Sequence, residues 1–265
     1  MRHRSRLREY VIAPVISIVV TLMVLALLSG LMVVLEPRST NVAASPTTGY
    51  SSYGSGSGSY GSGTLGPWQN LLRRISTEDE IRDVLMFNGV FMFGDSIAVQ
   101  NGFALEQLLT SAGDSIAVHD WSGQPTSAAV DALEQWKRDY GLPGRIVMAV
   151  GTNDIFDPPA FGAQVERAME IAGPNRTVYW VNVHATRFRQ SADVQAADRA
   201  NSMWINQQLA EAAARHPNLR IIDWAGFVAS QPNGLTTYLR DGVHTTDAGG
   251  KARNQLIADA IRSGR

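Results

Sequence analysis

The sequence predicts a three-layer α/β domain around a five-stranded parallel sheet, preceded by one transmembrane helix. Three observations carry that expectation. Five short apolar runs alternate with segments whose apolar residues recur at helical spacing. The residues of unusual chemistry follow those runs or precede the last helical segment, which is where the carboxyl edge of a parallel sheet would gather them. Ahead of all this, a basic start leads into roughly 25 residues without a charge, long enough to cross a bilayer with some tilt.

Residues 1–10 form a basic tail with Arg2, Arg4, Arg6 and Arg8, and Val11–Leu35 is the charge-free run. The arginines come first, so the tail is expected in the cytoplasm and everything after Leu35 outside. A retained signal anchor fits the length; a cleaved signal peptide is the alternative, with Val42-Ala43-Ala44 as its cleavage site. Residues 36–66 are rich in Ser, Gly and Tyr and cannot bury enough apolar area to offset their ordering entropy. They are expected to be a disordered tether, and the stretch from Ser39 would reach on the order of 30 Å. Stacking of Tyr50, Tyr53 and Tyr60 on glycans is a second use of the same segment.

The domain proper is expected over residues 67–265. Pro67–Ile75 reads as a short helix, and Thr77-Glu78-Asp79-Glu80 has capping-box spacing for a second. Val90–Phe93 is the first strand. It breaks at Gly94-Asp95-Ser96 into a helix, Ile97–Thr110, with apolar residues at Ile97, Phe103, Leu105, Leu108 and Leu109. Ser115–His119 is the second strand and Thr126–Tyr140 the helix after it, stopped by Gly141 and Pro143. Arg145–Val150, Thr177–Val183 and Leu219–Asp223 complete the five strands. Helices are expected at about Ala160–Ala172, Ala192–Arg215 and Thr246–Arg262, with a loop over Ser230–His244.

The composition excludes several chemistries. Among 265 residues there is no cysteine, so disulfides, thiolate metal sites and cysteine nucleophiles are ruled out. The net charge is -1 and the tail is basic, which leaves the domain mildly acidic and argues against a nucleic-acid partner. Histidines at ligand spacing are missing, so no metal or other cofactor is expected.

What remains suits acyl transfer. A serine at a strand-to-helix turn sits beside backbone N–H groups that lack helical partners and can face an oxyanion. Ser96 can be the nucleophile, His244 its base, and Asp241 the group that orients the imidazole. The N–H groups of Ser96 and Gly123 and the side-chain amide of Asn153 can form the oxyanion hole. Asp95 and Asp154 read as loop-forming acids, and His3, His119 and His216 as uninvolved in chemistry.

These residues fall in four blocks: Phe93-Gly94-Asp95-Ser96, Trp121-Ser122-Gly123, Gly151-Thr152-Asn153-Asp154 and Asp241-Gly242-Val243-His244. In kind and order they resemble the SGNH/GDSL hydrolase superfamily, over about Leu85 to Arg262. The resemblance implies a flavodoxin-like fold, a triad of Ser96, His244 and Asp241, and oxyanion donors at Ser96, Gly123 and Asn153. Val181-Asn182-Val183-His184, Arg187, Arg189 and Trp204-Ile205-Asn206 are similar to the SGNH domains of cell-envelope O-acyltransferases. Those domains are often joined to a multi-span acyl-donor protein that this chain lacks, so a transferase would need a separate membrane partner. Arg187 and Arg189 are candidates to meet an anionic substrate, with a solvated loop as the alternative.

The leading expectation is thus a membrane-anchored, extracytoplasmic serine esterase acting on O-acyl groups of an envelope polysaccharide or glycolipid. An O-acyltransferase using the same acyl-enzyme and a non-catalytic envelope-binding domain are the alternatives.

Overall fold

Strand β2, Val90–Gly94, is buried along its whole length, because it lies at the centre of the sheet with helices over both faces. The computed structural model describes residues 60–264, and its six strands run in the order β1-β3-β2-β4-β5-β6. Here β1 is Arg73–Ile75, β3 Ile116–Trp121, β4 Arg145–Ala149, β5 Thr177–Val181 and β6 Leu219–Ile222. Strands β2 to β6 are mutually parallel and β1 pairs antiparallel with β3, so the sheet is mixed.

Alternation along the strands divides the core in two. Phe91, Phe93, Ile146, Met148, Val178 and Trp180 face one layer, formed by α1 (Glu78–Met86), α3 (Thr126–Asp139), α4 (Pro158–Ala172) and α5 (Ala192–Arg215). Val90, Met92, Val147, Ala149, Tyr179 and Val181 face the other, formed by α2 (Ser96–Ser111), α6 (Trp224–Ser230) and α8 (Asp247–Ser263). A short helix α7, Gly234–Tyr238, lies between α6 and α8 in sequence. The expected capping box at Thr77 forms: its hydroxyl accepts from the Glu80 N–H, and the Glu80 carboxylate accepts from the Thr77 N–H.

The structure corrects the expected architecture in three places. The sheet has six strands rather than five, because Arg73–Ile75 is an edge strand and not part of a helix. Its backbone pairs with β3, and Arg74 forms an ion pair with Glu106 on α2. The loop expected over Ser230–His244 contains α7. The segment expected to be a disordered tether up to Gly66 is packed on the domain from Tyr60 onward: Ser62 is buried, and Asn201 donates to both the Tyr60 carbonyl and the Ser62 hydroxyl. Tyr60 also meets Trp204 edge to face, with ring centroids 6.2 Å apart. The expected tail, membrane span and tether over residues 1–59 lie outside the described residues, and among the described residues no helix is long and apolar enough to cross a membrane.

Candidate active site

The sheet's carboxyl edge brings three of the four blocks together in a bonded network. Asp95 caps α2 by accepting from the Ile97 N–H at 2.9 Å, which makes Ser96 the first residue of the helix. Its N–H therefore belongs to the helix's unpaired first turn. The Ser96 Oγ lies 2.9 Å from His244 Nε2, and His244 Nδ1 lies 2.9 Å from Asp241 Oδ2. Ser96 and His244 are only 5 % and 4 % exposed, so the pair is shielded from bulk water, which strengthens its polar contacts.

The base is held by its own loop. Asp241 Oδ1 accepts the N–H groups of Val243 and His244 at 3.0 and 2.7 Å, while Oδ2 faces the imidazole. Burial pushes the Asp241 carboxyl up, but the hydrogen bonds and the nearby imidazole outweigh it and bring the pKa to about 2. Gly242 has φ +89°, and a side chain there would strike the Thr186 carbonyl. The backbone of the preceding loop clamps this turn: Thr186 N–H donates to the Gly242 carbonyl and Phe188 N–H to that of Asp241, both at 2.9 Å.

Gln124, fully buried, is the connection that sequence reasoning missed. Its side-chain amide donates to the Gly94 carbonyl at the end of β2, and its own carbonyl accepts from Asn153 Nδ2 at 3.0 Å. One residue thus ties the turn of Ser96, the turn after β3 and the short 3-10 helix Thr152–Phe156 that carries Asn153. No motif flags a glutamine before Pro125, since its role comes only from what the fold brings alongside it. The second N–H of the Asn153 amide is not used in that bond. Gly123, next to Gln124, has φ +77°, a left-handed turn that favours glycine.

Asp154 accepts from the Thr126 N–H and hydroxyl at 3.0 and 2.7 Å, fastening the start of α3 to the Asn153 turn. Burial raises its pKa to about 7 against those hydrogen bonds. His119 is half-buried between Phe93, Trp121 and Trp136, and its desolvation lowers its pKa. His216 pairs with Glu166.

Arg187, a candidate to meet an anionic substrate, is engaged within the protein. Its guanidinium pairs with fully buried Asp198 through bonds of 2.8 and 2.7 Å and donates to the Ser62 carbonyl, while lying over the Phe156 ring. With its donors turned inward, it holds the loop that clamps Asp241 and Gly242. Arg189 is exposed on that loop.

The profile of the GDSL-like lipase/acylhydrolase family matches residues 92–252. The O-acetyltransferase OatA of Staphylococcus aureus is 23 % identical over 173 residues, covering 65 % of this chain and 25 % of its own length. The chain therefore spans about a quarter of that curated relative. Among solved structures, the C-terminal catalytic domain of peptidoglycan O-acetyltransferase A from Streptococcus pneumoniae, solved with a methylsulfonyl adduct, is 18 % identical with a TM-score of 0.52. That match covers 66 % of this chain and 90 % of that one. A GDSL-like lipase from Bacteroides thetaiotaomicron is 19 % identical with a TM-score of 0.55, covering 72 % and 93 %.

Proposed function

The chain belongs to the GDSL-like lipase/acylhydrolase family, and on that premise we propose that it is a membrane-anchored serine acyl-transfer enzyme acting on O-acyl groups of an envelope glycan. The observation that carries this reading is the hydrogen-bonded chain from Ser96 through His244 to Asp241, with 2.9 Å at each step. In the proposed mechanism Ser96 Oγ attacks the ester carbonyl as His244 Nε2 takes its proton. Asp241 holds the imidazole by Nδ1 and stabilises its positive charge. The oxyanion forms against the N–H groups of Ser96 and Gly123 and the free N–H of Asn153. His244 then returns the proton to the leaving sugar oxygen, leaving an acyl ester on Ser96. An incoming hydroxyl, deprotonated by His244, completes the cycle.

Water as that hydroxyl makes the protein an esterase, the leading reading. A sugar hydroxyl makes it an O-acetyltransferase, and the named activity of the relatives supports this second reading. A transferase would draw its acyl group from a separate membrane protein.

The run Val11–Leu35 and the arginines before it support a single-pass anchor, a cytoplasmic tail of residues 1–10 and an outward-facing domain. The tether in this reading covers residues 36–59. Protease added to intact cells is expected to release a fragment beginning within the tether, and full protection of the domain would overturn the topology.

Incubating the full chain with an activated acetyl ester, with and without a glycan oligomer, tests the chemistry. Acetate alone supports the esterase, and acetylated glycan the transferase. Absence of both products and of any covalent adduct on Ser96 would overturn the enzymatic reading in favour of envelope binding.

A further inference from the structure

Ser96 and His244 stand 148 positions apart in the chain. Ser96 opens α2, and His244 lies in the turn that leads into α8. The 2.9 Å between Ser96 Oγ and His244 Nε2 therefore depends on how α2 and that turn are held against each other. Asp241 and its clamp hold the imidazole from the N-terminal side. On the other side the next residue, Thr245, is held by α2 itself. Asn101 Nδ2 donates to Thr245 Oγ1 at 2.9 Å, and Gln100 Nε2 donates to the Thr245 carbonyl at 2.9 Å. Both side chains leave α2 about one turn after Ser96, roughly 6 and 7.5 Å along the helix axis.

The bond from Asn101 is the better shielded of the two, because Thr245 is 1 % exposed and Asn101 half-buried, whereas Gln100 is exposed. Asn101 is also fixed at its own end. Its amide donates to the Ile97 carbonyl at 3.0 Å as well, so its two N–H groups have two acceptors, one on α2 and one across the gap. Helix α8 braces the same residue: Asn254 Nδ2 donates to the Asn101 carbonyl at 3.0 Å, and a Cβ at Gly250 would press on Asn101 Oδ1. Thr245 is bridged to Leu239, with the Arg240 N–H donating to the His244 carbonyl at 2.8 Å and the Thr246 N–H to the Tyr238 carbonyl at 3.0 Å. The Asn101–Thr245 bond thus joins two held segments, one carrying the serine and the other the histidine.

We infer that Asn101 is a positioning residue for the catalytic pair: its amide ties the helix that begins with Ser96 to the residue after His244 and so sets the Ser96–His244 distance. The inference rests on Ser96 being the nucleophile and His244 its base. A proton passes from Oγ to Nε2 only within hydrogen-bond reach, and misplacing a reacting group by about 1 Å can cost about a hundredfold in rate. Without the Asn101 amide, the side-chain link from α2 to Thr245 falls to the exposed Gln100, and His244 is free to draw back from Ser96. Removing either end of the Asn101–Thr245 bond should slow the chemistry to a similar degree and leave substrate binding alone.

The test is a double-mutant cycle in the full chain with Asn101→Ala and Thr245→Val, read by hydrolysis of an activated acetyl ester and by the rate of Ser96 labelling by a sulfonyl fluoride. Each single variant is expected to lose about tenfold in kcat and in labelling, with KM within about twofold. The double variant is expected to be no slower than the worse single one, because the second substitution removes a bond already broken. Thr245→Ser keeps the acceptor and is expected to recover most of kcat. Losses that multiply in the double variant, or a Thr245→Ser as slow as Thr245→Val, would mean that each side chain acts by its packing and overturn the inference. Lower thermal stability with unchanged kcat overturns it too. Should Asn101→Ala not fold, Thr245→Val against Thr245→Ser decides on the same terms. A reactive wild type with unaffected variants removes this inference alone. A wild type that neither turns over nor is labelled removes the assignment of Ser96 as well.

Discussion

Asp241 and Asp120 both sit near the Ser96 turn, one serving the base and the other lying against Gly94, yet their environments drive them in opposite directions. Asp241 accepts two backbone N–H groups and faces the imidazole, and its pKa falls to about 2 despite partial burial. Asp120 is fully buried with no direct hydrogen-bond donor among the described residues, and burial raises its pKa to about 8 even with Arg74 and Arg253 nearby. Donors aimed at the charged form outweigh desolvation in the first case and are missing in the second. The base side of the site is thus organised by hydrogen bonds made to a charge, whereas behind the nucleophile turn Asp120 is held neutral by its burial up to about pH 8.

The largest expected effect tests whether these two sides act on one atom. Ser96→Ala removes the group they converge on and should cut kcat by up to about a million-fold while leaving the fold intact. Ester turnover and thermal unfolding check this together. Near wild-type turnover in a folded variant would mean that the Asp241–His244 pair serves some other nucleophile.

Arg187 carries the comparison to the loop that clamps the base. Arg187→Ala leaves Asp198, which is 0 % exposed, without its cation, and such a loss costs about 3–5 kcal/mol. A large fall in unfolding midpoint is expected, with lower kcat following from a looser Asp241–Gly242 turn. A variant of unchanged stability but raised KM would return Arg187 to the role of substrate ligand.

That residue also marks where sequence reasoning stops. The parallel strands and their helices were legible because apolar periodicity follows directly from burying both faces of the sheet, and α5 has the expected bounds, Ala192–Arg215. Strand β1 was not, because three half-exposed residues at a sheet edge carry no apolar run and take their conformation from pairing with β3. Residues 60–66 read as tether because their composition is that of a linker, yet Asn201 and Arg187 hold the Tyr60 and Ser62 backbone. Ser96, Asp241 and His244 could be picked out as a set whose geometry the fold then supplied. Arg187 could not be separated from a substrate-binding arginine, since Asp198 looks like any surface acid of a helix. Gln124 and Asn101 carried no motif.

Stability against pH should separate the two aspartates. A group whose folded pKa lies below its unfolded value of 3.8, as for Asp241, contributes stability above about pH 4 and loses it as pH falls toward 2. For Asp120, raised to about 8, the folded state holds a proton that the unfolded chain releases near 3.8. Stability should therefore decline as pH rises from about 4 toward 8, by no more than about 1.4 kcal/mol per unit per carboxyl, or about 4 kcal/mol over three units. Asp154, raised to about 7, adds to the same decline. Denaturant unfolding at pH 5, 6, 7 and 8 measures it, and Asp120→Asn should flatten the curve. An unchanged slope in that variant would place the titration elsewhere.

The smallest effect, and the most discriminating, concerns Asn153, which joins the two sides through Gln124. If its free N–H meets the oxyanion, the bond strengthens as charge develops on that oxygen, because the ground-state carbonyl is the poorer acceptor. Asn153→Ala should then lower kcat by about 10²–10³, corresponding to about 2.7–4 kcal/mol, with little change in KM. The alanine also gives up the 3.0 Å bond to the Gln124 carbonyl, so stability has to be measured alongside. Asn153→Asp separates the two losses. A carboxylate cannot donate to the Gln124 carbonyl and would repel the oxyanion, so an oxyanion donor predicts an aspartate variant slower than alanine. A residue that only shapes its turn predicts the opposite, since aspartate serves in such turns as well as asparagine. An active, stable Asn153→Asp enzyme would therefore leave the Ser96 and Gly123 N–H groups to carry the oxyanion and reduce Asn153 to part of the scaffold.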